Sequence, residues 1–195
     1  MEQDLRLGCL VMAAGSGRRF GGNKLAAELD GKTLIVRALE AVPGAQFAAV
    51  TVVSQYEDIE ALAGQFGFAA IHNDRPDLGL SYTVALGTEA MRGCGGILYM
   101  VADQPKLRQE TVARIVDVFR QHPDKIVGAG HAGRRGNPNL FPAKYFEELL
   151  ALTGDHGGSS VIRAHEEDFL LVETGAEELF DCDTPAALDA LTRKE

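Results

Sequence analysis

Three places in the chain carry residues able to handle phosphate. In the first, Gly15-Ser16-Gly17-Arg18-Arg19-Phe20-Gly21-Gly22-Asn23-Lys24-Leu25, glycines alternate with two arginines and a lysine. Glycine permits tight turns and close backbone approach, so the N–H groups of such a loop can close on a phosphate chain while the cations neutralise it. The second is Ala102-Asp103-Gln104-Pro105, directly after an apolar stretch. A carboxylate at the carboxyl end of a strand, facing phosphates, can hold Mg²⁺ against them. The third is Asp181-Cys182-Asp183-Thr184-Pro185. Its aspartates lie two apart, so on a strand they share one face, and either can partner Asp103 on a metal.

Two familiar phosphate loops do not fit. The dinucleotide fingerprint G-x-G-x-x-G, counted from Gly15 and Gly17, meets Phe20 where its third glycine belongs. The loop G-x-x-x-x-G-K-[ST] has its spacing at Gly17 and Gly22, but Asn23 stands before Lys24. Gly31-Lys32-Thr33 reads instead as the end of an Asp30-Gly31 turn, with Thr33 capping a helix.

Charge is unevenly placed. The 195-residue chain has a net charge of −9, yet residues 6 to 37 hold Arg6, Arg18, Arg19, Lys24, Lys32 and Arg37 against Glu28 and Asp30. Positive charge gathered at one loop of an acidic chain points to an anionic small molecule. The same balance, without interleaved aromatic and basic residues, excludes a nucleic-acid binder. No apolar run approaches the ~20 residues that span a bilayer, so no membrane partner is expected. Met1-Glu2-Gln3-Asp4 lacks the basic start of a signal peptide. Cys9, Cys94 and Cys182 form no disulfide or zinc pattern, which fits a cytoplasmic location.

The elements that must position these residues alternate along the chain. A continuous apolar strand covers residues 7–14 and feeds the glycine-rich loop. Helical spacing follows over 33–42, a buried strand over 48–53, a helix over 56–66, a short strand over 68–72 and a helix over 81–91. Gly96-Ile97-Leu98-Tyr99-Met100-Val101 reads as a strand and 109–121 as a helix. Leu179 to Asp183 reads as a short strand that leads into a helix with Thr184 as its N-cap and Pro185 in its first turn. Such alternation predicts one α/β domain over residues 1–195, a three-layer α/β/α sandwich on a mostly parallel sheet. Ligands of such sheets sit beyond the carboxyl ends of the strands, where the basic loop and Asp103 both fall.

The motif A-A-G-x-x-x-R-x-G-x-N-K-L resembles the signature of nucleotidyltransferases that activate phosphorylated metabolites. With the A-D-Q-P turn and the terminal D-x-D-T-P segment, it occurs in this order in the molybdenum-cofactor cytidylyltransferases, within the molybdopterin nucleotidyltransferases. Leu78-Gly79-Leu80-Ser81, Gly133-Arg134-Arg135-Gly136-Asn137-Pro138-Asn139-Leu140-Phe141 and Gly154-Asp155-His156-Gly157-Gly158 are similar to further segments of that family. The resemblance implies a Rossmann-like fold of the nucleotide-diphospho-sugar transferase type. It implies that Arg19 and Lys24 hold the triphosphate and that Ala13, Ala14 and Gly15 contact base and sugar. Gly79 and Ser81 would complete the base pocket, and Asp103 and Asp183 would bind Mg²⁺. The acceptor's phosphate would attack the α-phosphorus of CTP, with Arg19, Lys24 and Asp103 as the catalytic set. Molybdopterin is the implied acceptor, and a molybdoenzyme or its chaperone is the implied protein partner. Arg134 and Arg135 are candidates for the acceptor's phosphate.

Two residues depart from the cytidine-using pattern: Gly17 replaces a frequent serine, and Asn139 stands where an apolar residue is usual. The competing readings are a cytidylyltransferase for a methylerythritol or sugar-alcohol phosphate, a GTP-using guanylyltransferase, and a nucleotide-binding regulator without catalysis. A nicotinamide-dependent oxidoreductase is disfavoured by Phe20 and by Val53-Ser54-Gln55, which lacks the acidic residue such enzymes need after their second strand.

Overall fold

The computed structural model describes residues 5–15, 17 and 20–192. Side-chain alternation decides how its central sheet is covered. In β1 (Leu7–Ala13), Cys9, Val11 and Ala13 join one apolar cluster and Leu10 the other. In β6 (Gly96–Val101), Leu98 and Met100 face the first cluster while Ile97 and Tyr99 face the second. Successive strand residues point to opposite faces, so strands apolar at nearly every position need cover on both.

The first cluster is closed by α1 (Leu34–Glu40), α2 (Glu57–Gln65) and α4 (Gln109–Gln121). The second is closed by α3 (Leu80–Ala90), α5 (Phe146–Leu150) and α6 (Ser159–Ala164). This is the three-layer sandwich read from the sequence. Helix α4 matches its expected span residue for residue, with Val112, Ile115, Val116 and Phe119 fully buried.

Among the described residues, seven strands form the sheet, in the order β5 (Ala69–His72), β4 (Ala49–Ser54), β1, β6, β8 (Arg134–Pro142), β7 (Ile126–His131) and β9 (Phe169–Glu173). β4 and β5 lie parallel beside β1, and β6 pairs with it in parallel on the other side. The far half departs from this pattern. β7 and β8 form an antiparallel hairpin, and β8 inserts antiparallel against β6. β9 then pairs parallel with β7 at the edge. A two-stranded ribbon, β2 (Glu28–Leu29) and β3 (Lys32–Thr33), turns at Asp30-Gly31 with both residues at positive φ. Thr33 then caps α1 by accepting from the Val36 N–H, as the sequence suggests.

The expected strand near the C-terminus is absent among the described residues. Ala176–Leu179 is a 3-10 turn, residues 180–183 are irregular, and α7 (Pro185–Thr192) follows with Thr184 accepting from the Ala187 N–H. The strand-like sequence finds no neighbouring strand to pair with; Cys182 donates its N–H to the Asp103 carbonyl at 2.8 Å instead. No helix among the described residues is long and apolar enough to cross a membrane.

Candidate active site

β1 delivers the chain into the glycine-rich loop at the carboxyl edge of the sheet. Ser16, Arg18 and Arg19 lie outside the described residues, so the expected role of Arg19 has no geometry here. Gly17 sits at φ +56°, where a Cβ would overlap the Gly22 carbonyl oxygen, so the turn requires glycine. Asn23, which breaks the other phosphate-loop pattern, caps the 3-10 turn Lys24–Ala26 by accepting from the Leu25 N–H at 3.1 Å. That cap fixes the start of the turn that presents Lys24.

Lys24 reaches both distant carboxylates. Its Nζ donates to Asp103 Oδ2 at 2.5 Å and to Asp183 Oδ1 at 3.0 Å. Burial disfavours its charge, but the hydrogen bond and negative charge of Asp103, followed by those of Asp183, outweigh burial and hold the ammonium above the ordinary lysine range. Asp181, the other aspartate of the pair, accepts instead from Gln104 Nε2 at 2.9 Å. Its carboxyl is raised, first by burial and then by the Asp103 charge, against the Gln104 hydrogen bond. The shared strand face expected for Asp181 and Asp183 is therefore replaced by two different attachments.

The residues present fit a divalent cation. Asp103 Oδ1 is buried and has no hydrogen-bond partner, and an orphaned carboxylate oxygen beside a second carboxylate is a poor arrangement without a further cation. Among the described residues no three His, Cys, Asp or Glu side chains converge as a complete metal site. One or two carboxylates, completed by water and substrate phosphates, is the manner in which Mg²⁺ is usually held.

A cleft of about 350 Å³ opens over this cluster, with Ala14, Gly15, Lys24, Gly79 and Asp103 in its lining. Ala13 lies beneath it, buried, its carbonyl accepting from Ser54 Oγ. Ser81 is also buried rather than in the lining, with its N–H on the Gly154 carbonyl; Leu80 and Thr83 form that wall. Gly79, at φ +84°, leaves no room for a Cβ, which would stand 2.6 Å from Asp155 Oδ1 and from the Gly154 carbonyl.

Several supporting residues escaped the sequence reading. Gln55 Nε2 donates to the Ala14 carbonyl at 2.6 Å and Tyr56 OH to the Gly15 carbonyl at 3.3 Å. Together with Ser54 they tie the end of β4 to the start of the loop. Their one signal was a run of polar residues directly after an apolar strand.

A second cavity of about 390 Å³ continues from the first, sharing Met12, Leu80, Val101 and Asp155 with it. Its floor is one face of β8, where Arg135, Asn137, Asn139 and Phe141 alternate. Phe141 meets Tyr99 edge to face, with centroids 5.5 Å apart. Arg135 pairs with Glu166 at 3.2 Å and lies over the Phe169 ring. Arg134 is exposed and outside this lining.

The purine catabolism protein PucB of Bacillus subtilis is 25% identical over 197 residues, covering 94% of this chain and 95% of its own. A probable molybdenum cofactor guanylyltransferase of Pyrococcus horikoshii is 27% identical over 115 residues, 59% of this chain and 57% of that protein. The crystal structure of Rv0371c from Mycobacterium tuberculosis superposes with a TM-score of 0.79 at 22% identity, covering 96% of this chain and 97% of that one. Residues 9–169 match the family described as the MobA-like NTP transferase domain. The match takes in the loop, the Asp103 turn and both cavities, and on it the chain belongs to the MobA-like NTP transferase family of nucleotidyltransferases.

Proposed function

We propose that this nucleotidyltransferase moves CMP from CTP to a phosphorylated acceptor, molybdopterin, with release of pyrophosphate. One observation carries the reading: two cavities meet at Met12 and Asp155, and Lys24 and Asp103, the first of which also pairs with Asp183, line the first. A donor nucleotide in the first and an acceptor in the second would present their phosphates to each other at that junction.

The chemistry needs alignment and charge neutralisation more than an activated nucleophile. A phosphate monoester is already anionic at neutral pH, and all three cysteines are buried. Lys24, released from its carboxylates to the triphosphate, would stabilise charge on the departing pyrophosphate. Arg19 is assigned the same task on the strength of the loop motif. Ala13, Ala14, Gly15 and Gly79 would bound the base and sugar through their backbone, and Ser81 would support that wall from beneath. Asp103 and Asp183 would hold Mg²⁺, which supplies Lewis-acid neutralisation of the phosphates when bound.

The Ala14-Gly15 form of the loop supports cytidine over guanine. GTP is the second reading, favoured by the name of the Pyrococcus relative. The second cavity is lined by apolar Tyr99, Phe141, Val84 and Ile162 and by polar Arg135, Asn137, Asn139 and Asp155, a mixture that suits a heterocyclic acceptor carrying hydrogen-bonding edges and a phosphate. A molybdoenzyme or its chaperone would then receive the product.

The test is pyrophosphate release from each of the four nucleoside triphosphates with Mg²⁺ or Mn²⁺, with and without molybdopterin. Release that requires both CTP and molybdopterin supports the reading. The same requirement with GTP moves the donor, and CTP binding without release moves the acceptor. No nucleotide binding overturns it.

A further inference from the structure

Asn139 is the departure from the family pattern that the proposed reaction leaves unexplained. It is buried in the middle of β8, and its amide orientation is fixed by a backbone group. Asn139 Nδ2 donates to the Gly136 carbonyl at 2.9 Å, and that oxygen can only accept. The end of Asn139 facing it must therefore be the NH₂. The same NH₂ lies 3.0 Å from the carboxamide of Asn137, so the Asn137 end facing it must be the oxygen. Two amides are thus set in sequence from one carbonyl, and the NH₂ of Asn137 is left without a partner among the described residues, in the lining of the second cavity.

The arrangement is made at the expense of packing. Asn139 Oδ1 is buried and unpartnered, which an apolar residue would avoid. Room for it exists because its cross-strand neighbour on β7 is Gly128, where a Cβ would overlap that oxygen. A glycine in mid-strand and an unpaired carbonyl are both unfavourable to a sheet. Gly128 also makes room for the Phe169 ring, and with the unpaired carbonyl it accommodates the amide that holds Asn137.

We propose that Asn139 is a positioning residue for the acceptor: it holds the Asn137 oxygen so that the Asn137 NH₂ is offered to a hydrogen-bond acceptor on the substrate in the second cavity. This rests on the reading that the second cavity takes the acceptor. The acceptor must then present a carbonyl oxygen, an unprotonated ring nitrogen or a phosphate oxygen at that point.

The test has two arms, and the first needs no substrate. In the ¹⁵N-labelled, substrate-free protein, the Asn137 side-chain amide should be ordered in wild type. It should lose that order in Asn139→Leu and Asn139→Ala, while the melting temperature of Asn139→Leu stays level or rises. In the second arm, with CTP and molybdopterin, each variant should raise the KM for molybdopterin about tenfold, the effect of one lost oriented hydrogen bond. The KM for CTP should stay unchanged. Asn137→Ala should do the same, and the Asn137→Ala/Asn139→Ala double variant should be no worse than Asn137→Ala alone. An Asn137 amide that stays ordered without Asn139 overturns the proposal, as does an unchanged or fully additive molybdopterin KM. If wild type does not use molybdopterin, the proposed reaction fails and the order of the Asn137 amide decides the positioning role by itself.

Discussion

The half of the sheet around β1 and the half around β8 meet at one edge but build it by different means. On the β1 side, parallel strands end together and their following loops bring Lys24 and Asp103 to one point. The functional groups sit beyond the strands, so the core beneath does not depend on them. On the β8 side an antiparallel strand runs through the edge, and the cavity floor is the strand face itself, with Arg135, Asn137, Asn139 and Phe141 in alternation. There the groups facing a ligand are also groups that pack the sheet. Charge can be changed on the first side at little loss of fold, whereas shape on the second cannot.

That contrast is broken most directly at Lys24. Lys24→Ala should lower kcat/KM by about 10²–10³-fold, the scale for removing one preorganised charge-stabilising donor, while circular dichroism shows an intact fold. Near wild-type turnover would remove Lys24 from the chemistry, and a collapsed fold would make the β1 side as structural as the β8 side. Phe141→Ala is the opposite experiment. Phe141 is 1% exposed in the second cluster, so its truncation should lower unfolding free energy by about 3–5 kcal/mol in urea titration. A loss below about 1 kcal/mol would show that the β8 face is not packed as described.

A smaller effect sharpens the comparison at the segment that carries Asp183 to the β1 side. Glu178, fully buried, accepts from the Arg108 N–H at 3.1 Å and from its guanidinium at 2.5 Å, at the start of α4. Burial alone would raise its carboxyl, but the hydrogen bonds from Arg108 and Thr111 outweigh this and hold it below the ordinary range. A folded-state value below the unfolded one gives stability that is full above about pH 4.3 and is lost as pH falls through the folded value. Glu178→Gln should therefore lose about 1–3 kcal/mol at pH 7, with the gap to wild type closing below about pH 4 in pH-resolved melting. A gap that stays constant with pH would assign the effect to shape and not to charge.

How much of this could be read from residues alone follows the same division. Strands β1, β4 and β6 are apolar runs bounded by turn residues, and α4 repeats its apolar positions at helical spacing, so all four were legible. Lys24, Asp103 and the Asp181/Asp183 pair stood out as candidates because charged residues are conspicuous beside glycine and at the ends of apolar runs, but nothing in the residues alone said that Asp183, and not Asp181, meets Lys24. The β7–β8 hairpin was not, because its strands carry Gly128, Gly130, Arg135 and Asn137 where a periodicity reading looks for valine or isoleucine. Residues 179–183 have the side chains of a strand, but nothing in the sequence says that no strand lies beside them. Asn23 looked like an interruption and is a cap, a role visible only once Leu25 is placed.

Lys24 meets one carboxylate 79 residues further on and another 159 residues further on. In synthesis the basic loop is made before Asp103, and Asp183 is the last of the three to follow. Until residue 183 has been made, the strands of the sheet can be complete while the lysine lacks half its counter-charge. A chain interrupted in translation, or clipped before Asp183, thus carries an incomplete cluster on a largely finished scaffold.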